Sequence, residues 1–235
     1  RVLGHYDLKN LNEADRIHLL AEATKLAYHQ RNAYISDPSF SEIPVNWLLS
    51  DKHIAALQKQ IDMTKSKSYG PTDFPNHSDT TYLCCVDSDG NAISFINSLF
   101  SAFGSGIMAP KTGVVLQNRG SSFNLNSNHV NCIEGGKRPM HTIIPGMVTK
   151  SSKTIAPFGV MGGQYQSAGH ANFISNVLDL GFDIQHAMDQ PRSFAIDGRL
   201  QMEENFAPSI LADLEKRGHQ IEKISKPLGG SQCTL

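Results

Sequence analysis

The sequence predicts an α+β fold, and three observations carry that prediction. A helical pattern opens the chain, strand patterns follow as a block through the middle, and further helical patterns are grouped after them. Regular alternation of strand and helix, which is typical of a parallel α/β sheet, is not the main pattern. The 235 residues are 40% hydrophobic and 18% charged, a mixture that can bury the core of one domain or of two small ones.

The first part of the chain is predicted to be helical. Residues 10–34 carry apolar side chains near helical spacing, with Asn12 or Asp15 placed to cap the start. A shorter helix is predicted over residues 51–61. Residues 64–78 are rich in Ser, Pro, Gly and Lys and predict an exposed linker.

A β-hairpin is predicted directly after the linker. The stretches "TYLCCV" and "AISFIN" flank "DSDG", in which Gly90 is free to adopt positive φ. If the loop centres on Asp89, the numbers of paired residues sum to 178, which pairs Val86 with Ala92. The same register places Thr80 beside Ser98 at the open end of the hairpin.

Further strands and helices are predicted in the second half. Strands fit residues 113–118 and 154–161, and the second of these runs into a turn of two glycines followed by a helix. Asp183 is placed to cap another helix, and Pro208 lies in the first turn of the last one.

Composition argues against several classes of partner. The 21 Lys and Arg residues balance 22 Asp and Glu, so no charge pattern indicates nucleic acid or an anionic membrane. No apolar run approaches the roughly 20 residues that span a bilayer. An N-terminal targeting region is not visible in the sequence.

The cysteines and histidines predict neither a disulfide scaffold nor a metal site. Four cysteines are too few for a disulfide scaffold and too irregularly spaced for a zinc ribbon, and they favour a reducing compartment such as the cytoplasm. The ten histidines form no HExxH motif. We therefore expect no metal and no cofactor.

Thr80 is the first candidate for chemistry. Taken alone, a threonine at this place predicts only a strand. If the bond between Asp79 and Thr80 is cut, however, the freed α-amine, with a pKa of roughly 7.7–8.0, can act as base for the hydroxyl of its own residue. The preceding linker would let the other new end withdraw, and Ser98 would orient the Thr80 hydroxyl.

Two further stretches are candidates for binding an anion. In "GVMGGQYQSAGH", Gly162 and Gly163 can aim backbone N–H groups at a phosphate or at the oxyanion of an acyl-transfer intermediate. Taken alone, the stretch favours a plain turn. In "GGKRPMHT", a polar cluster can receive a carboxylate or form a solvated loop. That cluster comprises Lys137, Arg138, His141 and Thr142.

Considered together, these motifs resemble the γ-glutamyltranspeptidase family. The resemblance rests on "DTTYLCCVDSDGNAISFINSLFSAFGSG", "TGVVLQNRGSSF", "GGKRPMHTIIPGMV", "GVMGGQ" and "DQPR" in that order, and on "AEATKLAYHQRNAYISDPSF" before them. It implies an N-terminal-nucleophile hydrolase, an αββα sandwich present here as a partial chain. Residues 1–79 would be the end of the large subunit and residues 80–235 the small subunit, separated by autocatalytic cleavage of a zymogen.

The resemblance also implies roles for individual residues. Thr80 matches the nucleophile, and Ser98 matches a helper hydroxyl that is threonine in the best-known members. Gly162 and Gly163 match the pair whose N–H groups form the oxyanion hole. Cleavage would fall between Asp79 and Thr80.

The substrate-binding positions depart from the family pattern. Phe100, Arg119 and Ser122 stand where members that bind a γ-glutamyl group hold its α-amine with amide and carboxylate oxygens. His141 and Thr142 stand where two serines usually receive the substrate carboxylate. The family's carboxylate-binding arginine belongs to the large subunit, outside this sequence. These departures suggest a small acid or an apolar acyl group, as in the branch with oxamate amidohydrolase and cephalosporin-acylase-like proteins.

The predicted function is therefore that of a self-processing threonine amidohydrolase or acyltransferase. A true γ-glutamyl transferase or glutathione hydrolase, with a role in glutathione metabolism, is one alternative. An unprocessed, non-catalytic homologue that serves as a binding or assembly module is another. Expected partners are a small amide or γ-glutamyl-like substrate and the rest of the large subunit, with a homo-oligomer or a dimer of heterodimers as open possibilities.

Overall fold

The structure, a computed structural model, describes residues 1–69 and 80–235 and confirms the α+β class. The helices are α1 (Glu13–Tyr34), α2 (Val45–Leu48), α3 (Asp51–Gln58), α4 (Gln166–Leu178), α5 (Ile184–Asp189) and α6 (Pro208–Lys216). The strands are β1 (Thr81–Val86), β2 (Ala92–Asn97), β3 (Gly146–Lys150), β4 (Lys153–Val160), β5 (Ser193–Ile196), β6 (Arg199–Glu203), β7 (Ile221–Ile224) and β8 (Ser231–Cys233).

The chain forms two compact units, each assembled from separate stretches of sequence. In the described chain the first unit comprises residues 1–69, 123–140 and 191–227, and the second comprises residues 80–122, 141–190 and 228–235. The predicted boundary between residues 79 and 80 concerns maturation, and it remains a prediction.

The first unit is built on α1. The Asn12 side chain caps this helix by accepting a hydrogen bond from the Asp15 N–H at 2.8 Å, so Asn12 rather than Asp15 is the cap. The helix packs against β5 and α6. Strands β5, β6 and β7 form one sheet, with β6 and β7 parallel and joined through α6. Its buried core comprises Ile17, Ala21, Ala195, Leu200, Met202, Phe206 and Leu214.

The second unit contains a two-stranded and a three-stranded sheet. Strands β1 and β2 pair from Thr81 opposite Asn97 to Val86 opposite Ala92, which confirms the predicted register. Gly90 in the connecting loop has φ of 81°, as predicted. Strands β3, β4 and β8 form the other sheet, and the β1–β2 hairpin packs against β4.

One predicted strand is absent from the structure, and one predicted linker lies partly outside the described residues. The strand predicted over residues 113–118 is wrong, because this stretch forms one bridge, between Met108 and Val115, and a few backbone hydrogen bonds to residues 105–109. It then turns into a short 3-10 helix, Arg119–Ser122. Gly113 has φ of 72°, a left-handed conformation that interrupts extended backbone. Of the predicted linker, residues 70–78 lie outside the described residues.

No helix within residues 1–69 and 80–235 combines the length and the apolar character needed to cross a membrane.

Candidate active site

The open end of the β1–β2 hairpin carries two of the predicted catalytic residues. The last pair of the ladder is Thr81 opposite Asn97. Thr80 and Ser98 are the next residues outward on their strands, and both are half-buried. Antiparallel strands place successive residues opposite one another, so this continuation puts the two hydroxyl-bearing residues side by side.

The end of β4 lies at the same edge of the second unit. A Cβ atom on Gly159 would lie 2.3 Å from the Tyr82 ring, so the bare glycine backbone is what lets this ring pack. Tyr82 is two residues after Thr80, a distance of about 7 Å along a strand. Since Gly159 is three residues before Gly162, the start of β1 and the turn after β4 meet at one edge.

The turn after β4 is shaped by its two glycines. Gly162 has φ of 128° and Gly163 has φ of 58°. A Cβ atom on Gly162 would lie 2.3 Å from the Leu228 carbonyl oxygen, so no side chain fits there. Both glycines are buried, and no described residue accepts a hydrogen bond from either of their N–H groups. Buried unpaired N–H groups are uncommon, and here two successive ones are available to an anion.

His170 fixes the position of that turn. The Val160 N–H at the end of β4 donates to His170 Nε2 on α4 at 3.1 Å. Burial lowers the pKa of His170 to about 4, so the ring stays neutral and its Nε2 remains an acceptor. The strand that leads into the glycines is thereby tied to the helix that follows them.

Gln166, which no sequence motif indicated, is a further polar group beside this turn. It is the first residue of α4 and is fully buried, yet neither Oε1 nor Nε2 has a hydrogen-bond partner among the described residues. Glutamine is usually exposed, so its type and position alone gave no signal. Only the packing shows that its amide is buried next to the glycines.

Ser98 is held by Arg119. The Arg119 Nη2 group donates to Ser98 Oγ at 2.7 Å and to the Ser98 carbonyl oxygen at 3.0 Å, and the Phe100 N–H makes a longer contact of 3.4 Å with the same Oγ. A serine hydroxyl accepts up to two hydrogen bonds and donates one. Because two donors already point at Ser98 Oγ, its own proton is left to donate.

Phe100 supports Arg119 rather than lining an open pocket. It has φ of 81°, a strained conformation for a bulky residue, and its ring is buried. The Arg119 guanidinium lies 5.8 Å from the centre of that ring. Asn118 secures the same loop, since it receives the Ser101 N–H at 3.0 Å and donates to Ser101 Oγ at 2.8 Å. Ser122, at the end of the short helix that begins at Arg119, is also buried.

The polar cluster predicted in "GGKRPMHT" is divided between the two units. Arg138 forms an ion pair with the buried Asp37 carboxylate at 2.8 Å, and Lys137 donates to the Val130 carbonyl oxygen at 2.8 Å, all within the first unit. His141 and Thr142 belong to the second unit.

The chain segment that follows places these two residues at the site edge. Strand β3 begins at Gly146, which is paired with Phe158 near the end of β4. His141 and Thr142 precede β3 and so lie toward the edge where β4 ends. Asp79 lies outside the described residues, and the cleavage site remains a prediction.

The first unit contains a polar cluster that the sequence did not reveal. Potential metal-binding atoms of His18, Glu22 and His219 lie within 4.8 Å of one another, all buried. His18 Nδ1 is 2.8 Å from His219 Nε2, and the Lys25 ammonium pairs with Glu22. A hydrogen-bonded network with a cation already in place accounts for this cluster. A nearby cavity of about 490 Å³ is lined by none of the predicted site residues.

A family model and curated relatives agree on the family that this chain resembles. The family model described as gamma-glutamyltranspeptidase matches residues 1–234. A glutathione hydrolase-like YwrD proenzyme of Bacillus subtilis is 35% identical, over 100% of this chain and 46% of its own length. An oxamate amidohydrolase proenzyme of Klebsiella pneumoniae is 33% identical, over 95% of this chain and 44% of its own.

A solved structure agrees with these sequence matches. The crystal structure of cephalosporin acylase from Bacillus halodurans superposes with a TM-score of 0.87 at 36% identity, covering 99% of this chain and 43% of that one. The chain therefore spans less than half the length of the relatives it matches.

Proposed function

This chain belongs to the γ-glutamyltranspeptidase family of N-terminal-nucleophile hydrolases, and on that basis we propose that it carries the catalytic centre of a self-processing amidohydrolase or acyltransferase. Thr80 is the nucleophile in this proposal. The observation that carries it is the pair of buried N–H groups at Gly162 and Gly163, which have no acceptor among the described residues and lie at the same edge as the start of β1.

The proposed maturation divides the chain into residues 1–79 and 80–235. The Thr80 hydroxyl oxygen attacks the carbonyl carbon of Asp79, the peptide C–N bond breaks, and the proton passes to the new α-amine. Water then hydrolyses the resulting ester, which leaves Asp79 with a carboxylate and Thr80 with a free amine. The names of two relatives, both called proenzymes, support this step.

The proposed reaction on substrate uses the same groups. Thr80 Oγ attacks the amide carbonyl while the α-amine of Thr80 takes the hydroxyl proton. The N–H groups of Gly162 and Gly163 stabilise the oxyanion, and each such donor contributes roughly 2.7–4 kcal/mol in acyl-transfer sites. The C–N bond then breaks, the amine leaves with the proton, and water or an acceptor amine releases the acyl group from Thr80.

Ser98 orients the nucleophile in this scheme. With Oγ already receiving hydrogen bonds, the Ser98 hydroxyl donates toward Thr80 Oγ and stabilises the alkoxide character that develops there. The substitution Ser98→Ala should therefore slow acylation without abolishing it.

The decisive experiment compares Thr80→Ala with the neighbouring control Thr81→Ala, each made in the protein as naturally encoded. Intact-mass measurement should show wild type and Thr81→Ala cleaved after Asp79, with Thr80→Ala uncut. Wild type and Thr81→Ala should hydrolyse acyl p-nitroanilides, and Thr80→Ala should not. Equal processing and equal rates in all three proteins would favour a non-catalytic homologue and contradict the proposal.

A further inference from the structure

We infer that Gly229 is a positioning residue for the proposed reaction. It holds the peptide between Met161 and Gly162 so that the Gly162 N–H, rather than the Met161 carbonyl oxygen, points into the site. This inference rests on the proposed function of Thr80 and the glycine turn, and it adds a residue from a distant part of the chain.

Gly229 lies opposite Gly162. Strand β8 pairs with β4 in antiparallel fashion, and the pairing continues past both strands, because the Met161 N–H donates to the Gly230 carbonyl oxygen at 2.7 Å. Continued by one more residue, this ladder places Gly229 against Gly162. A Cβ atom on Gly162 would lie 3.4 Å from the Gly229 Cα, which agrees with this pairing. The chain just before β8 therefore runs along one side of the turn.

The Met161 carbonyl points toward Gly229. A Cβ atom on Gly229 would lie 2.0 Å from the Met161 oxygen and 2.8 Å from its carbonyl carbon, so the oxygen is the nearer end of the bond. The peptide that joins Met161 to Gly162 is trans and planar, and in such a peptide the C=O and N–H bonds point in opposite directions. The Gly162 N–H therefore points away from Gly229, where no described residue accepts a hydrogen bond from it.

A peptide that precedes a glycine needs such support. Glycine adopts positive and negative φ about equally readily, so this peptide could rotate by half a turn at little steric cost at Gly162. Rotation would direct the Met161 carbonyl oxygen into the site, where its partial negative charge would oppose the oxyanion instead of stabilising it. The bare Cα of Gly229 leaves room for that oxygen outside the site. Residue 229 must be glycine for this fit, and its φ of 145° is one that other residues rarely adopt.

Gly229→Ala tests the inference, and Gly230→Ala is its matched control. An added Cβ at position 229 would overlap the Met161 carbonyl oxygen, which belongs to backbone. An added Cβ at position 230 would meet only Met161 Cε, the movable end of a side chain, at 2.8 Å.

Rates are measured with the acetyl, glutaryl or γ-glutamyl p-nitroanilide that wild type hydrolyses fastest, and are expressed per cleaved, folded protein. We expect Gly229→Ala to lower kcat by roughly 10²–10³-fold, the loss of one oxyanion donor. KM should change little, because the donor acts on the transition state rather than on bound substrate. Gly230→Ala should keep the wild-type kcat and KM, and equal losses in the two variants overturn the inference.

Combination with Gly162→Ala distinguishes positioning from general damage. Both substitutions displace the same donor in this inference, so the double variant should lose about as much kcat as either single variant. Independent effects multiply, so a loss near the product of the two single losses contradicts the inference.

The results also separate this inference from the proposed function. If Thr80→Ala is uncut and inactive while Gly229→Ala keeps the wild-type kcat, the nucleophile stands and the inference is wrong. If Thr80→Ala is as active as wild type, the proposed function itself fails. Should Gly229→Ala fail to fold, or no anilide be hydrolysed, a crystal structure of the protein as naturally encoded decides. The Gly162 N–H should face the Thr80 side of the turn, and a Met161 carbonyl oxygen on that side overturns the inference.

Discussion

Substitution of Gly162 by alanine is the most direct test of the proposed oxyanion site. The added Cβ would lie 2.3 Å from the Leu228 carbonyl oxygen, well inside the separation that two such atoms tolerate. Because that oxygen belongs to backbone, it cannot rotate away as the end of a flexible side chain would. Either the turn or the segment at Leu228 must move.

The expected cost has two parts. A non-glycine residue held in an unfavourable backbone region costs about 1–3 kcal/mol, and forcing an extra methyl group into packed structure costs about 1–3 kcal/mol more. Part of this energy will appear as lost stability and part as displacement of the turn. Displacing one oxyanion donor should lower kcat by about 10²–10³-fold.

Gly181→Ala is the matched control. Gly181 also has positive φ, 71°, but a Cβ atom there would meet nothing within 4 Å. This variant should lose stability through the backbone term alone and keep the wild-type kcat. Urea unfolding and steady-state hydrolysis measured on both variants separate the two effects.

One result would refute the reasoning. If Gly162→Ala is destabilised no more than Gly181→Ala and keeps at least about one-tenth of the wild-type kcat, then this turn does not supply donors worth the expected 10²–10³-fold. The assignment of Gly162 and Gly163 would then fail even if Thr80 proved to be the nucleophile.

Two further predictions concern stability. The pKa of His170 is lowered by burial to about 4, from 6.5 in the unfolded chain, so the unfolded state binds more protons between these values and stability should fall as pH drops from about 6.5 to about 4. At pH 5 the loss from His170 should be about 2 kcal/mol. His170→Gln should show a shallower pH dependence of the urea midpoint, and an unchanged slope would contradict the assignment. Burial, with a smaller contribution from Lys25, also lowers the pKa of His219, to about 3, so a residual slope of the same sign should remain in the variant. Asp37→Asn should lower the urea midpoint clearly more than Asp51→Asn, because the Asp37 side chain is 2% exposed and hydrogen-bonded to Arg138 whereas that of Asp51 is 87% exposed. Equal shifts would show that the buried Asp37 carboxylate contributes no more to stability than the exposed Asp51 carboxylate.

The sequence determined the elements whose signals are local. Asn12 caps α1 and Asp183 caps α5 through their own side chains, and Pro208 opens α6. The loop around Gly90 set the register of the hairpin, since a short loop leaves few ways to pair its strands. These features depend on residues a few positions apart, which is why they could be read directly.

Non-local pairing was beyond the reach of the sequence. Strands β7 and β8 were not predicted, because each is short and pairs with a strand from a distant part of the chain. Strands β3, β5 and β6 were missed although tight turns join β3 to β4 and β5 to β6. Residues 113–118 carry a strand-like composition, yet their pairing with residues 105–109 is limited to one bridge and a few hydrogen bonds, and no regular strand forms there. Strand propensity expresses packing against neighbours, and the neighbours are chosen by the fold.

At the candidate site the sequence by itself supplied the residue types and the family, and the tertiary structure decided their relations. The motifs indicated Thr80, Ser98, the two glycines and Arg119. Their spacing did not indicate that Arg119 donates a hydrogen bond to Ser98 or that Phe100 is buried against the guanidinium. It also did not indicate that Gln166 is buried without a described partner. Those facts arise when residues about 20 to 80 positions apart along the chain are packed at one edge of the second unit. Hydrogen bonding and charge act over a few ångströms of space, whereas a sequence records only order along the chain.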